Sequence, residues 1–383
     1  MSALPLRSEG EFLYLPALTT AHSHAFQRGM RGLAQRPGRL ANDDFWTWRG
    51  QMYRAALALT PESFEVVTRI AYRELHRAGI RTVGEFHYIH HQAEGTPYDD
   101  RTLLADIAIR IAKEEGLRIA LLRTAYFRAG PGREAEPGQK RFCDPSPDAV
   151  LRDVDTLRAK YAGDPNVVIG LAPHSVRAVP PEFLKPLFAY AEEWDIPLHM
   201  HVSEQQREVE ECIAETGKRP VQFLQDEGAL TQRFVAVHAT CLEESEARLL
   251  GQAGAFACLC PTTERDLGDG LAPISALRAA NVRLCTGIDS YVITDPIDEL
   301  RSLETHERLR TRKRVTFDGA GTPASALWLE GSLHGAQACG FDDVGGDVRI
   351  RKDHPTLALV EPDALLDAIV FSGYRSGNGY SEI

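Results

Sequence analysis

The sequence predicts an α/β fold of the (β/α)8 TIM-like barrel type, and three observations predict it. Short β-rich runs alternate with longer amphipathic stretches, as expected of repeated βα units around a parallel sheet. Eight such runs can be found, and the distance from His22 at the end of the first to Asp289 after the eighth is close to the roughly 250 residues such a barrel takes. Polar residues gather at the C-terminal ends of the runs, where the loops of a barrel converge.

The runs are Phe12 to Thr20, Thr82 to Phe86, Arg118 to Thr124, Val167 to Ala172, Pro197 to Val202, Phe234 to His238, Ala255 to Cys260 and Arg283 to Gly287. Helix signals separate them. Thr60-Pro61-Glu62 reads as an N-cap followed by proline at the first helical position, and Gly79 follows the last turn of that helix. Gly116 closes another helix before the third run, and Ser146-Pro147 opens the helix before the fourth. Phe127 to Pro147, rich in Gly, Pro and charge, reads as an exposed loop. Gly345-Gly346 marks a turn before a weakly patterned tail, with a strand expected at Thr356 to Val360 and a helix at Asp363 to Phe371. Two units follow: a barrel over residues 1–318 and a C-terminal helical segment with a vestigial strand tail over 319–383, packed on the barrel.

Composition narrows the function classes. Hydrophobic residues make up 43% and charged residues 25%, so neither a disordered polymer nor a fibrous repeat fits. Lys plus Arg is 43 against 54 for Asp plus Glu, a formal net charge of −11, which disfavours nucleic acid and anionic membranes as partners. No run approaches the roughly 18 to 20 apolar residues of a membrane span, and the start lacks an apolar stretch after its basic residue, so a cytoplasmic location is expected. The seven cysteines are scattered with no CxxC pair, and most are expected to be buried thiols.

The 13 histidines are more informative, because they gather at the ends of the apolar runs. Run one ends in His22-Ser23-His24, run five in His199-Met200-His201-Val202-Ser203-Glu204, run six in His238, and Asp289 follows run eight. Residues i and i+2 of a strand point the same way, so His22 and His24 can approach one ion together. An HxH alone is a weak signal, but HxH, HxxE, His and Asp at four strand ends in this order point to a metal, and imidazoles with one carboxylate suit zinc. His199 and His201 share a face. His201 lies at the strand end, three residues before Glu204, and is assigned to the metal, with His199 left to packing.

At these residues the chain resembles the amidohydrolase superfamily of metal-dependent barrels and, within it, the formimidoylglutamate deiminases. The resemblance covers about Leu15 to Cys339. It is carried by His22-Ser-His-Ala-Phe-Gln-Arg28, Phe45-Trp-Thr-Trp-Arg49, Glu85-Phe-His-Tyr-Ile-His-His91, His174-Ser-Val-Arg177, His201-Val-Ser-Glu-Gln-Gln206 and Pro261-Thr-Thr-Glu-Arg-Asp-Leu-Gly-Asp-Gly270. The resemblance implies one zinc per chain held by His22, His24, His201 and Asp289, with Glu204 and His238 beside it. Binuclear members use a carboxylated lysine on the fourth strand, and Val167 to Ser175 contains none. The implied reaction is hydrolytic deimination of N-formimino-L-glutamate to N-formyl-L-glutamate and ammonia, a step of histidine degradation. Glu204, His238 and Asp289 are the implied catalytic residues: Asp289 accepts the proton of the attacking water, Glu204 passes it to the departing nitrogen, and His238 steadies the oxygen.

By the same similarity, Gln27, Arg49, Tyr88, His174 and Arg177 line the pocket of a small-molecule substrate with two carboxylates. Arg49 is expected to reach in from a neighbouring subunit, which makes a homodimer the expected assembly. His90 and His91 are read as structural. Only 21 residues precede His22, so the accessory β-sandwich of the superfamily is expected to be reduced or absent. Tyr291 stands where the family tends to place histidine. Two rival readings remain: another mononuclear amidohydrolase that deaminates a purine, pyrimidine or related ring, and a non-catalytic metal-binding homologue.

Overall fold

Eight short runs rich in aliphatic and β-branched residues have their side chains buried on both faces, and they pair in parallel, each beside its neighbour in the chain. The computed structural model describes residues 6–33, 35, 44–318 and 321–374. Its barrel strands are Leu18–Ser23, Ile80–His87, Arg118–Ala125, Val167–Pro173, Leu198–Val202, Phe234–His238, Phe256–Leu259 and Arg283–Thr286. Helices on the outside connect them, giving the expected (β/α)8 architecture.

The first and eighth strands meet at their C-terminal ends. Ser23 bridges Asp289, His24 N donates to Asp289 O at 3.1 Å, and Asp289 N donates to His22 O at 3.1 Å. This seam has no room to spare: a Cβ at Gly287 would lie 2.7 Å from His22 Cβ and 2.8 Å from Cys260 Sγ.

The local signals act as the sequence suggests. Thr60 caps the helix Pro61–Arg77, with Ser63 returning the bond, and Gly79 takes a φ of +89° just past its end. Ser146 caps Pro147–Lys160. Beneath the barrel, Trp328 of the helix Pro323–Leu329 is buried and donates through Nε1 to Pro16 O at 2.9 Å.

Three expectations are corrected. The run Phe12 to Thr20 is two strands: Phe12–Pro16 pairs antiparallel with Arg7–Glu9 and with Asp347–Arg351, and the chain enters the barrel only at Leu18. The alternation of buried Leu13 and Leu15 with half-buried neighbours belongs to a sheet with one wet face, whereas the six residues after Ala17 are all buried. The tail strand accordingly lies at Asp347–Arg351, and Pro355–Leu357 is a single tight helical turn where a strand was expected. Its pairing partner is fifteen or so positions into the chain, a non-local match that local patterning cannot reveal. The three-stranded sheet joins residues assigned to the barrel unit with residues assigned to the tail unit. Finally, Phe127 to Pro147 is not an exposed loop throughout. It forms a small hairpin, Arg128–Gly130 with Arg133–Glu134, and a turn of helix, Pro137–Phe142, in which Gln139, Arg141 and Phe142 are buried. Arg141 is held by the carbonyl oxygens of His91, Ala56 and Leu59.

The helix at Leu365–Phe371 falls where expected. All seven cysteines are free, five of them buried. Among the described residues no helix is long and apolar enough to cross a membrane.

Replacing Gly287 with valine forces side-chain carbons into the seam. Urea unfolding is expected to show a loss of about 1–3 kcal/mol, the usual cost of overpacking. Unchanged stability would show that the seam is wider than described.

Candidate metal centre and substrate cavity

At the C-terminal mouth of the barrel three imidazoles and a carboxylate converge. His22 Nε2 and His24 Nε2 lie 3.5 and 3.4 Å from Asp289 Oδ1, and His201 Nε2 lies 3.2 Å from His22 Nε2. The far sides of two rings are fixed by backbone: His24 Nδ1 faces Phe86 O at 2.9 Å and His201 Nδ1 faces His174 O at 3.0 Å. A ring nitrogen that faces a carbonyl must carry the hydrogen, so both rings present an unprotonated Nε2 to the centre. Burial, foremost, keeps these imidazoles neutral: His24 is lowered to about 3, and His22 and His201 are also lowered. Burial pushes Asp289 up, but its hydrogen bond with His22 and the electrostatic pull of the surrounding imidazoles hold it below the usual carboxylate range. Neutral imidazoles around an ionised carboxylate, two of them held with a bare Nε2 toward the centre, form a donor set that fits a divalent cation.

His238 and Glu204 stand at the edge of this set. His238 Nε2 is 3.5 Å from Glu204 Oε1 and 3.8 Å from Asp289 Oδ2, and its Nδ1 donates to Glu264 Oε1 at 3.3 Å. Burial lowers His238, but Glu204, Glu264 and Asp289 outweigh it and raise the imidazole to about 10. Burial raises Glu204 above the ordinary range, against the opposing pull of His238 and Arg177. His199 is turned away, with Nε2 on Ala338 O at 2.8 Å deeper in the barrel. His90 contacts Thr124 O, and His91 lies 3.5 Å from the buried Asp144.

A cavity opens above the donors. Gln27, Arg49, Tyr88, His174 and Arg177, the five residues expected to contact substrate, all line it together with Glu204. In the single chain Arg49 lines this cavity from the helix Phe45–Leu57. Asp44 caps that helix by accepting from Trp46 N and Thr47 N, which sets Arg49 one turn in. Arg177 is buried, follows the fourth strand, and has Nε and Nη1 without partners; Arg49 Nη1 is likewise buried and unpaired. Both guanidiniums stack near Trp46, at 4.5 Å for Arg49 and 5.4 Å for Arg177. Among the described residues no carboxylate comes within ion-pair distance of either. At the other side, Gln27 Nε2 donates to Tyr88 Oη at 3.0 Å and leaves its Oε1 unpaired.

Several residues at the site escaped the sequence reading. Glu264, which takes His238 Nδ1 and Cys260 N, lies on the helix after the seventh strand. Glu208 accepts from Ser203 N at 2.8 Å and is raised to about 7, mainly by burial. Asp269 is raised to about 9 by burial and then by the charge of Glu204. Glu264 and Asp269 sit inside a quoted motif, so their signal was present; Tyr53, Tyr126 and Gln139 carried none.

A donor set of this kind at the mouth of a (β/α)8 barrel defines a barrel hydrolase built around a metal site. The chain belongs to the amidohydrolase family, whose model matches residues 13–372. It is 40% identical over 94% of its length to a formimidoylglutamate deiminase of Pseudomonas aeruginosa, of which 81% is covered. An 8-oxoguanine deaminase of the same species is 30% identical over 86% of this chain and 71% of its own. Among solved structures, an amidohydrolase from Brucella melitensis superposes with a TM-score of 0.87 at 35% identity, covering 97% of this chain and 88% of that one. An adenosine deaminase from Xanthomonas campestris with bound zinc shares the fold, with a TM-score of 0.78 at 23% identity over 97% of this chain and 78% of that one. The protein is thus a hydrolase acting on C–N bonds, of a metal-dependent family.

His201→Ala removes one of the converging nitrogens and is expected to lose bound metal, whereas His199→Ala retains it. Elemental analysis of the two purified variants after zinc loading separates the roles of these neighbours.

Proposed function

We propose that the protein is a zinc-dependent deiminase that hydrolyses N-formimino-L-glutamate to N-formyl-L-glutamate and ammonia, with one zinc per chain on His22, His24, His201 and Asp289. The observation that carries this reading is one cavity lined by the metal donors and by two guanidiniums, the half-buried Arg49 and the buried Arg177, that have buried N–H groups without partners. Planar guanidinium forks suit carboxylates. A bound zinc supplies Lewis acidity and lowers the pKa of its water to about 7.

The chain's own residues do the rest. Asp289 and Glu204 flank the reacting carbon as proton acceptors. Glu204, raised above its ordinary range, is able to hold a proton taken from the attacking water and return it to the departing nitrogen, which leaves as ammonia while the water oxygen stays on carbon. His238, held cationic by Glu204 and Glu264, faces the developing oxyanion. Arg177 and Arg49 anchor carboxylate oxygens and orient the formimino carbon, with Gln27, Tyr88 and His174 along the wall.

Ammonia release from N-formimino-L-glutamate tests the proposal. Activity on a purine or pyrimidine with none on this amino acid would instead favour the ring-deaminase reading, which the likeness to an 8-oxoguanine deaminase supports.

Two variants sharpen the test. Glu204→Gln is expected to keep zinc and lose about 10²- to 10⁴-fold in kcat, the usual worth of a general acid–base group. Arg177→Met is expected to raise KM steeply, since breaking a buried charge pair costs about 2–5 kcal/mol. An unchanged KM would place the carboxylates elsewhere.

A further inference from the structure

Gln139, which lies outside every motif read from the sequence, is fully buried behind the cavity wall. Its amide is oriented without ambiguity: Oε1 accepts from Glu136 N at 2.8 Å, so Nε2 is the donor group. That Nε2 donates to two phenols, Tyr53 Oη at 2.9 Å and Tyr126 Oη at 2.7 Å, and the two phenol oxygens lie 3.3 Å apart. Both tyrosines line the cavity.

Counting hydrogens decides what this triad can do. Each phenol oxygen already accepts one bond from Gln139. One phenol can donate to the other across 3.3 Å, and the acceptor of that bond then has its own O–H left with no further hydrogen-bond acceptor among the described residues. Tyr126 is the better placed to be that acceptor. Both rings pack on Phe142, but that of Tyr126 also packs on the cavity-lining His174 with centroids 4.8 Å apart, whereas that of Tyr53 lies under Arg49. A spare O–H beside the unpaired N–H groups of Arg177 and Arg49 makes this end of the cavity a wall of donors.

We propose that Tyr126 is a specificity-determining residue whose phenolic O–H donates to a substrate carboxylate held by Arg49 and Arg177, with Gln139 and Tyr53 fixing the direction of that hydroxyl. The inference rests on the deiminase reading for the identity of the substrate, but the donor wall has its own test.

The test uses the full-length, zinc-loaded protein and its Tyr126→Phe, Tyr53→Phe and Gln139→Leu variants. Calorimetry measures the binding of glutarate, a dicarboxylate that cannot turn over, and steady-state ammonia release on N-formimino-L-glutamate gives KM and kcat separately. Tyr126→Phe is expected to weaken glutarate binding and raise KM by about tenfold or more, as for loss of a hydrogen bond to a charged group, with kcat nearly unchanged. Tyr53→Phe and Gln139→Leu, which keep the Tyr126 hydroxyl but release its direction, are each expected to weaken glutarate binding and raise KM by a smaller factor. A Tyr126→Phe protein with wild-type glutarate affinity and KM overturns the proposal, as does a larger effect from Tyr53→Phe or a wild-type protein that binds no glutarate. A wild-type protein inactive on the formimino compound, whose glutarate binding nonetheless falls in Tyr126→Phe, overturns the deiminase reading and leaves the carboxylate donor standing.

Discussion

Two backbone hydrogen bonds across the barrel seam, His24 N to Asp289 O and Asp289 N to His22 O, join the ends of the eight-stranded sheet and with them the two halves of the donor set. His22 and His24 stand on one side of this seam and Asp289 on the other. Their convergence is therefore a consequence of barrel closure and not of any local motif. Thr20 Oγ1 adds a third tie by accepting from Ile288 N at 2.8 Å, and Gly287 lets the strands approach. The remaining imidazole arrives by the same logic, since His201 N donates to His174 O across the fourth and fifth strands.

Where the strands end, the backbone is bent to aim side chains inward. Ser203, His238 and Asp289 take φ values of +52°, +71° and +54°, a left-handed region that costs a non-glycine residue about 1–3 kcal/mol when held there. Each is restrained from outside itself. Glu208 takes Ser203 N, Glu264 takes His238 Nδ1, and the seam takes Asp289 N. The strain and its restraints lie together at the reacting end of the cavity, where Glu204 follows Ser203 directly.

These particulars explain what could be read from the sequence. Metal donors at strand ends are legible because strand periodicity and the mouth of a barrel both constrain them: the HxH of the first strand and the Asp after the eighth need no knowledge of loop paths. The same reasoning stops at the loops. Gln139 belongs to a segment whose glycine and proline content suggested exposure, yet its turn of helix folds back under the cavity wall, a packing choice with no local signature. Tyr53 and Tyr126 resemble any core tyrosine until a buried amide is found between them. The first run shows the same limit, for only the partner strand at Asp347–Arg351 reveals that the chain changes sheets at Ala17.

The two ends of the cavity differ in charge, and that difference bears on what it can hold. Near the metal donors, Glu204, Glu264, Asp269 and Asp289 surround His238; at the far end, Arg49, Arg177 and a phenol offer donors alone. A flat uncharged ring bound here would displace water from the guanidiniums without replacing its hydrogen bonds, at about 1–3 kcal/mol for each group left unpaired. An amidine linked to carboxylates meets both ends with the opposite sign. The length of the connecting chain then matters, because the donors are fixed by buried contacts on both sides: Asp289 by the seam, Arg177 by Trp46 and by the Arg128 side chain that holds its carbonyl at 3.0 Å. For the substrate proposed above, one methylene fewer would leave either the formimino carbon short of the metal donors or the carboxylate short of Arg177, so discrimination by chain length is expected.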